Sequence, residues 1–425
     1  MSEELKPQAA APATPQAAPQ APAAAPKKPA APAAAAPAAP AENDCHVRTI
    51  ERAAFRKEME RLHKEEHMDF LECLTGIDRE DDGLAVIYHL ESTATGKRTC
   101  VQVVCEGRET PNVPTVSDLW DIANIYEREV YDFYGIIFTG HPDMRRIYMR
   151  EDWVGYPFRK DDETEKNNPL RMTNEPLADT TDSYTLAPDG TLTKEQRNIF
   201  GEEDYVVNIG PQHPATHGVL HFRVCLQGEV IKKIDPILGY IHRGVEKISE
   251  QMTYPQTLAL TDRLDYLGAM QNRHALCMCI EKAMGVEVSD RVKVIRTIMD
   301  ELQRIDSHIL FFSCLAQDLG ATTAFLYGFR DREKILDIFE ETCGGRLNPN
   351  YNTIGGVKAD IHPNFQKRVK EFIPYMRKNI NEYFDIFINN VIFQHRAKGI
   401  GTLTKEQCIA FGCTGGTGRA AGWHN

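Results

Sequence analysis

The sequence has no C-x-x-C pair, no run of eighteen apolar residues and no surplus of positive charge. Each absence removes a class of protein. The 11 cysteines are scattered and odd in number, which fits reduced thiols rather than a disulfide framework or a zinc site. The closest pair, Cys277 and Cys279 in "HALCMCIEK", sits in a helical pattern, where i and i+2 do not share a face. Without a long apolar run, no segment reads as a membrane-spanning helix. A formal net charge of −12 argues against a chain held on nucleic acid by phosphate contacts. The start, "MSEELKPQ", lacks the basic and apolar regions of a secretory signal. There is no G-x-G-x-x-G, Walker loop, G-x-S-x-G or H-E-x-x-H. "GGTG" near residue 416 is glycine-rich but follows no strand pattern.

What is present divides the chain. Its 425 residues exceed one ordinary core, so two or more domains are expected. The first stretch, to about residue 42, is almost pure Ala, Pro and Gln and reads as a solvated, semi-extended tail. A tail without a partner is preferred to a swinging arm, because no carrier domain precedes it. "AAFRKEMERLHKEE" sets Phe55, Met59 and Leu62 at helical spacing. "GLAVIYHLES" and "RTCVQVVCEG" flank an "ATGK" turn as a hairpin. "TVSDLWDIANIYEREVYDFYG" predicts a helix capped at Ser117 and stopped by Gly135. From Gly155 to about Phe200 the chain is polar and weakly periodic, an extended connector. A hairpin turning at "LQGE" follows, and then helices dominate. The clearest puts Val292, Ile295, Ile298, Leu302, Ile305, Ile309 and Phe312 on one stripe. Another helix ends at "CGG", and a third is expected to break near Pro374.

Three stretches could carry chemistry. "GPQHPATHGVLHF" places His213, His217 and His221 on a proline-stiffened connection between two strands. A rigidly held imidazole can offer one nitrogen to a ligand while a partner orients the other, although a histidine-rich turn bonded to backbone is the commoner outcome. "LTDRLDYLGAM" brings Arg263, Asp265 and Tyr266 together. A tyrosine beside an aspartate can donate a hydrogen bond and then a proton to a carbonyl; a surface ion pair with a core aromatic is the ordinary alternative. "RIDSHILFFSCLAQDLGA" adds His308 and Asp318. Asp318 is either a polar helix end or the group that holds a histidine's second nitrogen.

Together these stretches resemble two subunits of respiratory NADH–quinone oxidoreductase (complex I) fused in one chain. "YEREVYDFYGIIFTGHPDMRRIYMREDWVGYPFRKD" is similar to the 30-kDa, or C, subunit. "GPQHPATHGVLHF", "GYIHRGVEK", "LTDRLDYLGAM", "LQRIDSHILFFSCLAQDLGATTAFLYGFRDREKILDIFE" and "IGGVKADI" are similar, in order, to the 49-kDa, or D, subunit. The resemblance implies an α+β fold class: a tail at 1–44, a small α+β domain at 45–160, an extended linker at 161–200, and a helical bundle with a small β-meander at 201–425. That bundle would be like the large subunit of [NiFe] hydrogenases and incomplete at its C-terminus, since "GGTGRAAGWHN" looks like the middle of a family motif. A hydrogenase needs R-x-C-G-x-C for its metals; here Arg263 remains, but Asp265 and Gly268 stand at the cysteine positions. The resemblance further implies that His217 and Tyr266 bind a quinone head group, ubiquinone or menaquinone, and that Asp318 partners the histidine. Arg263 would lie near the terminal iron–sulfur cluster of a neighbouring subunit. No metal or flavin is expected on this chain. The implied partners are other complex I subunits, above all that iron–sulfur subunit and the membrane arm, with no nucleic acid. The implied place is peripheral, on the cytoplasmic side of the cell inner membrane. The alternatives are a hydrogenase-related membrane oxidoreductase with another donor, or a scaffold without quinone binding.

Overall fold

The computed structural model describes residues 44–163, 168, 178–187, 190–211 and 218–423. The tail expected at 1–44 therefore falls, up to residue 43, outside the described residues.

The first half is a sheet with helices on it. Strands β1 (Asp44–Ile50), β2 (Phe70–Asp78), β3 (Leu84–Glu91) and β4 (Arg98–Val104) lie in the order β1-β4-β3-β2. β3 and β4 are the expected hairpin, paired from Ala85↔Val104 to Glu91↔Arg98. β1 runs parallel to β4 at the edge; it is short and exposed, so no burial alternation marked it in the sequence. Helix α1 (Arg52–Lys64) buries Phe55, Met59 and Leu62, the three residues its spacing selects. They join Tyr88, Val101, Val103 and Trp120 in the first core.

Helix α2 (Ala123–Tyr134) stops at Gly135, whose φ of 71° is left-handed, as a C-terminal glycine allows. Its start differs from the expectation. Ser117 does not cap it, and the helix begins at Ala123. Glu127 explains the delay: its carboxylate accepts the Val116 N–H at 2.7 Å and the Thr115 hydroxyl at 2.5 Å, which folds the preceding residues into turns. Further along α2, Asp132 is fully buried and accepts the N–H groups of Ile147 (3.1 Å), Tyr148 (2.7 Å) and Met149 (2.9 Å), with Arg146 Nη1 at 2.7 Å. One carboxylate thus folds "RRIYM" back over the helix.

Within 161–200, read as an extended connector, the chain pairs with itself: β7 (Thr180–Leu186) and β8 (Leu192–Asn198) make an antiparallel hairpin beyond the short parallel pair β5 (Asn112–Pro114) and β6 (Ile137–Thr139). β8 is exposed along its whole length, so it carries no hydrophobic alternation to read.

In the second half, β9 (Tyr205–Ile209), β10 (His221–Gln227) and β11 (Val230–Ile237) form an antiparallel sheet with β10 central. Helices α3 (Val245–Glu250), α4 (Tyr254–Thr261), α5 (Ala269–Met284), α6 (Asp290–Asp318), α7 (Thr322–Cys343) and α8 (Phe365–Tyr383) follow. On α6, Ile295, Leu302 and Ile309 are buried, packed with Ile335, Leu336 and Phe339 of α7, each worth roughly 1.5–3 kcal/mol of burial. Pro374 does not break α8. It lies on the exposed face, where water can take the carbonyl that proline leaves unpaired. Phe372, Met376 and Tyr383 hold the other face in the core, and Tyr375 and Tyr383 both donate to the buried Asp331 of α7 at 2.6 Å. Cys277 is buried and Cys279 exposed, on different faces of α5 as their spacing requires. Among the described residues no helix is long and apolar enough to cross a membrane.

Candidate functional site

The histidine-rich connection joins β9 to β10, with Phe222 opposite Ile209 in the ladder. His213 and His217 lie outside the described residues. His221 is the first residue of β10 and is buried. Its Nδ1 lies 3.0 Å from the Tyr240 hydroxyl and its Nε2 3.1 Å from Asn208 Oδ1. Burial pushes this imidazole below the ordinary histidine value. Both nitrogens are occupied, so of the three histidines His221 takes the structural role.

Arg263 and Tyr266 share one turn between α4 and α5. Tyr266 lies off both helices, because Asp265 holds the chain in a turn. Asp265 Oδ1 accepts the Leu267 N–H at 3.0 Å, and its carbonyl accepts the Gly268 N–H at 3.0 Å. A short polar side chain that binds the backbone two residues on favours such a turn over a helix. The turn holds Tyr266 40% exposed on the surface. Arg263 donates Nη1 to Ala259 O at 2.8 Å and accepts from Arg243 Nη1 at 3.3 Å through its own carbonyl. Asp318 is the last residue of α6 and is exposed, as is His308 earlier on that helix.

Beneath the turn is a polar layer that sequence reasoning missed. Asp262 is 1% exposed and meets Arg273 Nη1 at 3.3 Å; its other oxygen has no hydrogen bond among the described residues. Burial pushes its carboxyl up against the pull of Arg273. Arg273 also donates to Leu258 O at 2.8 Å and to Asn352 O. Asn352 donates to Met270 O at 3.1 Å, and Met270 N donates to Gln303 Oε1 at 3.1 Å. His274 and Asp300 pair at 2.6 Å, and Arg296 holds Glu281 with both arms, at 2.7 and 3.1 Å. The only signal in the sequence was polar residues at Arg296, Asp300, Gln303 and Asp306, next to the apolar stripe of α6. A groove of about 670 Å³ runs along α4, lined by Gln251, Met252, Pro255, Ala259, Arg273 and Lys358 among others. It adjoins Arg263 through Ala259 but not Tyr266.

Two family descriptions match this chain. "Respiratory-chain NADH dehydrogenase, 30 Kd subunit" matches residues 48–168, and "Respiratory-chain NADH dehydrogenase, 49 Kd subunit" matches residues 318–425. Both on one polypeptide define the class, a fusion of two respiratory-chain dehydrogenase subunits. A protein of Bacteroides thetaiotaomicron, named as the C/D subunit of NADH-quinone oxidoreductase, is 68% identical over 387 residues, 89% of this chain and 73% of its own length. Proteins of the same name are 66% identical over 387 residues in Bacteroides fragilis and 36% identical over 354 residues in Nitrosospira multiformis, covering 73% and 58% of their own lengths and 89% and 82% of this chain. The chain belongs to the family of fused C/D subunits of NADH-quinone oxidoreductase.

Proposed function

We propose that the chain serves in the peripheral arm of a proton-translocating NADH–quinone oxidoreductase, where the Arg263–Tyr266 turn and His217 form one wall of the quinone pocket. The carrying observation is the turn: Asp265 takes Tyr266 out of the helix and presents a phenol at the surface, in a family whose members are named for quinone reduction. A quinone becomes a quinol by taking two electrons and two protons. The Tyr266 hydroxyl donates a hydrogen bond to one carbonyl and then its proton, and His217, oriented by Asp318, serves the other. The electrons come from an iron–sulfur cluster of the neighbouring subunit. Arg263, anchored on Ala259 O, supplies a fixed positive charge that favours the reduced state of that cluster. The helical half is kin to the [NiFe] hydrogenase large subunit, with Asp265 and Gly268 where two thiolates would stand. With no thiolate pair there, the cavity takes an organic acceptor. The chain assembles with the iron–sulfur subunit and the membrane arm, on the cytoplasmic side of the inner membrane.

Tyr266→Phe tests this in the assembled complex. It keeps the ring and removes the donor, so NADH:quinone activity is expected to fall about 10²-fold, while NADH oxidation by an acceptor that takes electrons upstream survives. Undiminished quinone reduction would overturn the assignment.

A further inference from the structure

Four rings from two distant parts of the chain form one stack. Phe133 near the end of α2, Tyr148 in the loop folded by Asp132, and Phe158 belong to the first half; His242 belongs to the second. The Phe133 centroid lies 4.3 Å from Phe158, 5.6 Å from Tyr148 and 4.8 Å from His242, with interplanar angles of 12°, 15° and 25°. His242 is also 5.2 Å from Tyr148. Its Nδ1 accepts the Gly244 N–H at 3.3 Å, which sets the ring against its own backbone. Three residues before it, Gly239 has φ +102° and presses on the first half: a Cβ there would sit 2.7 Å from Tyr148 O. Five residues after it, Lys247 Nζ donates to Arg159 O at 2.7 Å. Residues 239–247 are thus fastened to the first half at both ends and in the middle.

The same residues reach the other way. Tyr240 holds His221 at 3.0 Å, where β10 leaves the histidine-rich connection, and Arg243 holds the carbonyl of Arg263 at 3.3 Å. We infer that residues 239–247 are a strap through which the first half sets the spacing between His221, at the start of β10, and the Arg263–Tyr266 turn, and that His242 is its positioning residue. This rests on the reading of those two segments as the quinone wall. At Gly239 the strap lies too close to the Tyr148 carbonyl to admit a side chain, and a tilt of the strap would unstack His242 from Phe133. Loosening the stack shifts Tyr240 and Arg243 together, and with them both segments that would face a quinone. The cost falls on positioning, where displacements near 1 Å are enough to matter.

The test uses membranes carrying the complete complex. His242→Ala is expected to raise the KM for quinone roughly tenfold, with upstream NADH oxidation unchanged, and His242→Phe, which restores a ring, to bring it back within about twofold. Tyr148→Leu, made in the other half, should give the same rise. The double variant should be no worse than the larger single, because both act on one stack. If His242→Ala prevents assembly, Tyr148→Leu and His242→Phe decide alone: a raised KM in the first and a native one in the second supports the strap. A native KM in Tyr148→Leu, or a raised one in His242→Phe, overturns it. Tyr266→Phe is assayed beside them. Intact quinone reduction there refutes the quinone wall itself; an inactive Tyr266→Phe with native KM in the stack variants refutes the strap alone.

Discussion

Asp132 and Asp262 are both buried carboxylates, one in each half, and they are treated differently. Asp132 faces three N–H groups and Arg146. Asp262 offers one oxygen to Arg273 and keeps the other without a hydrogen bond among the described residues. The surfaces differ in the same sense. From residue 44 to 163 the exposed large apolar side chains are Val47, Ile77, Ile125 and Val154; the second half exposes Tyr254 at 72%, Ile241 at 67%, Ile400 at 73% and many more. The first half is closed on itself. Both halves bury polar atoms without a hydrogen bond among the described residues, Tyr88 and Trp153 in the first as Asp262 and Gln303 in the second; it is the second that leaves many apolar groups uncovered, as a surface does that other subunits cover.

The sharpest way to break this comparison is to make the same substitution in both. Asp132→Asn turns an NH₂ toward N–H donors and leaves Arg146 with a neutral partner, an expected cost of about 3–5 kcal/mol in chemical denaturation. Asp262→Asn also leaves the buried Arg273 with a neutral partner, but it does not turn an NH₂ toward three N–H donors, so a smaller cost of about 1.5–3 kcal/mol is expected. Equal losses would remove the distinction. A smaller effect is a pH dependence in the first half. Burial pushes the Glu127 carboxyl from 4.5 up to about 8, against the hydrogen bonds from Thr115 and Val116. A raised carboxyl holds its proton more tightly when folded. Its contribution is therefore full below its ordinary value and is lost as pH rises through about 8, with a slope of at most about 1.4 kcal/mol per pH unit. Urea unfolding between pH 5 and 9 should show that decline, to which Glu129 and Glu72, each pushed up to about 7 by burial, also contribute; Glu127→Gln should make it shallower, above all between pH 7 and 8, and an unchanged slope in the variant would assign the dependence elsewhere. Smallest is the Arg56–Asp118 pair, whose aspartate is 59% exposed. Asp118→Ala should cost less than about 1 kcal/mol, and a larger loss in thermal melts would mean that the first half also leans on its surface charges.

What the sequence disclosed follows the same division. Phe55, Met59 and Leu62 of α1 and the apolar stripe of α6 were legible because apolar spacing reports directly on one buried face. The β7–β8 hairpin was not, because β8 is exposed throughout and the residues β7 buries, Thr181 and Ser183, are polar. The delayed start of α2 was hidden because its cause, Glu127 reaching back to Val116, is a tertiary contact written as an ordinary helical glutamate. Pro374 misled in the opposite direction: its meaning depended on which face of α8 it occupied. In the site, Arg263 and Tyr266 were legible as residues but not as a turn, since an aspartate in a helical pattern leaves its capping role unstated. The Asp262–Arg273–Asn352 layer was silent, because Arg273 and Asn352 are 79 residues apart and no spacing links them.

The central claim, that the Arg263–Tyr266 turn faces the quinone, is tested most directly by photolabelling the intact complex with a photoreactive quinone and mapping the adduct by mass spectrometry. The account predicts label within residues 263–268 or the histidine-rich connection at 210–222, lost when excess quinone competes. Label confined to the groove along α4, at Gln251, Met252 or Pro255, or label indifferent to competing quinone, would contradict it.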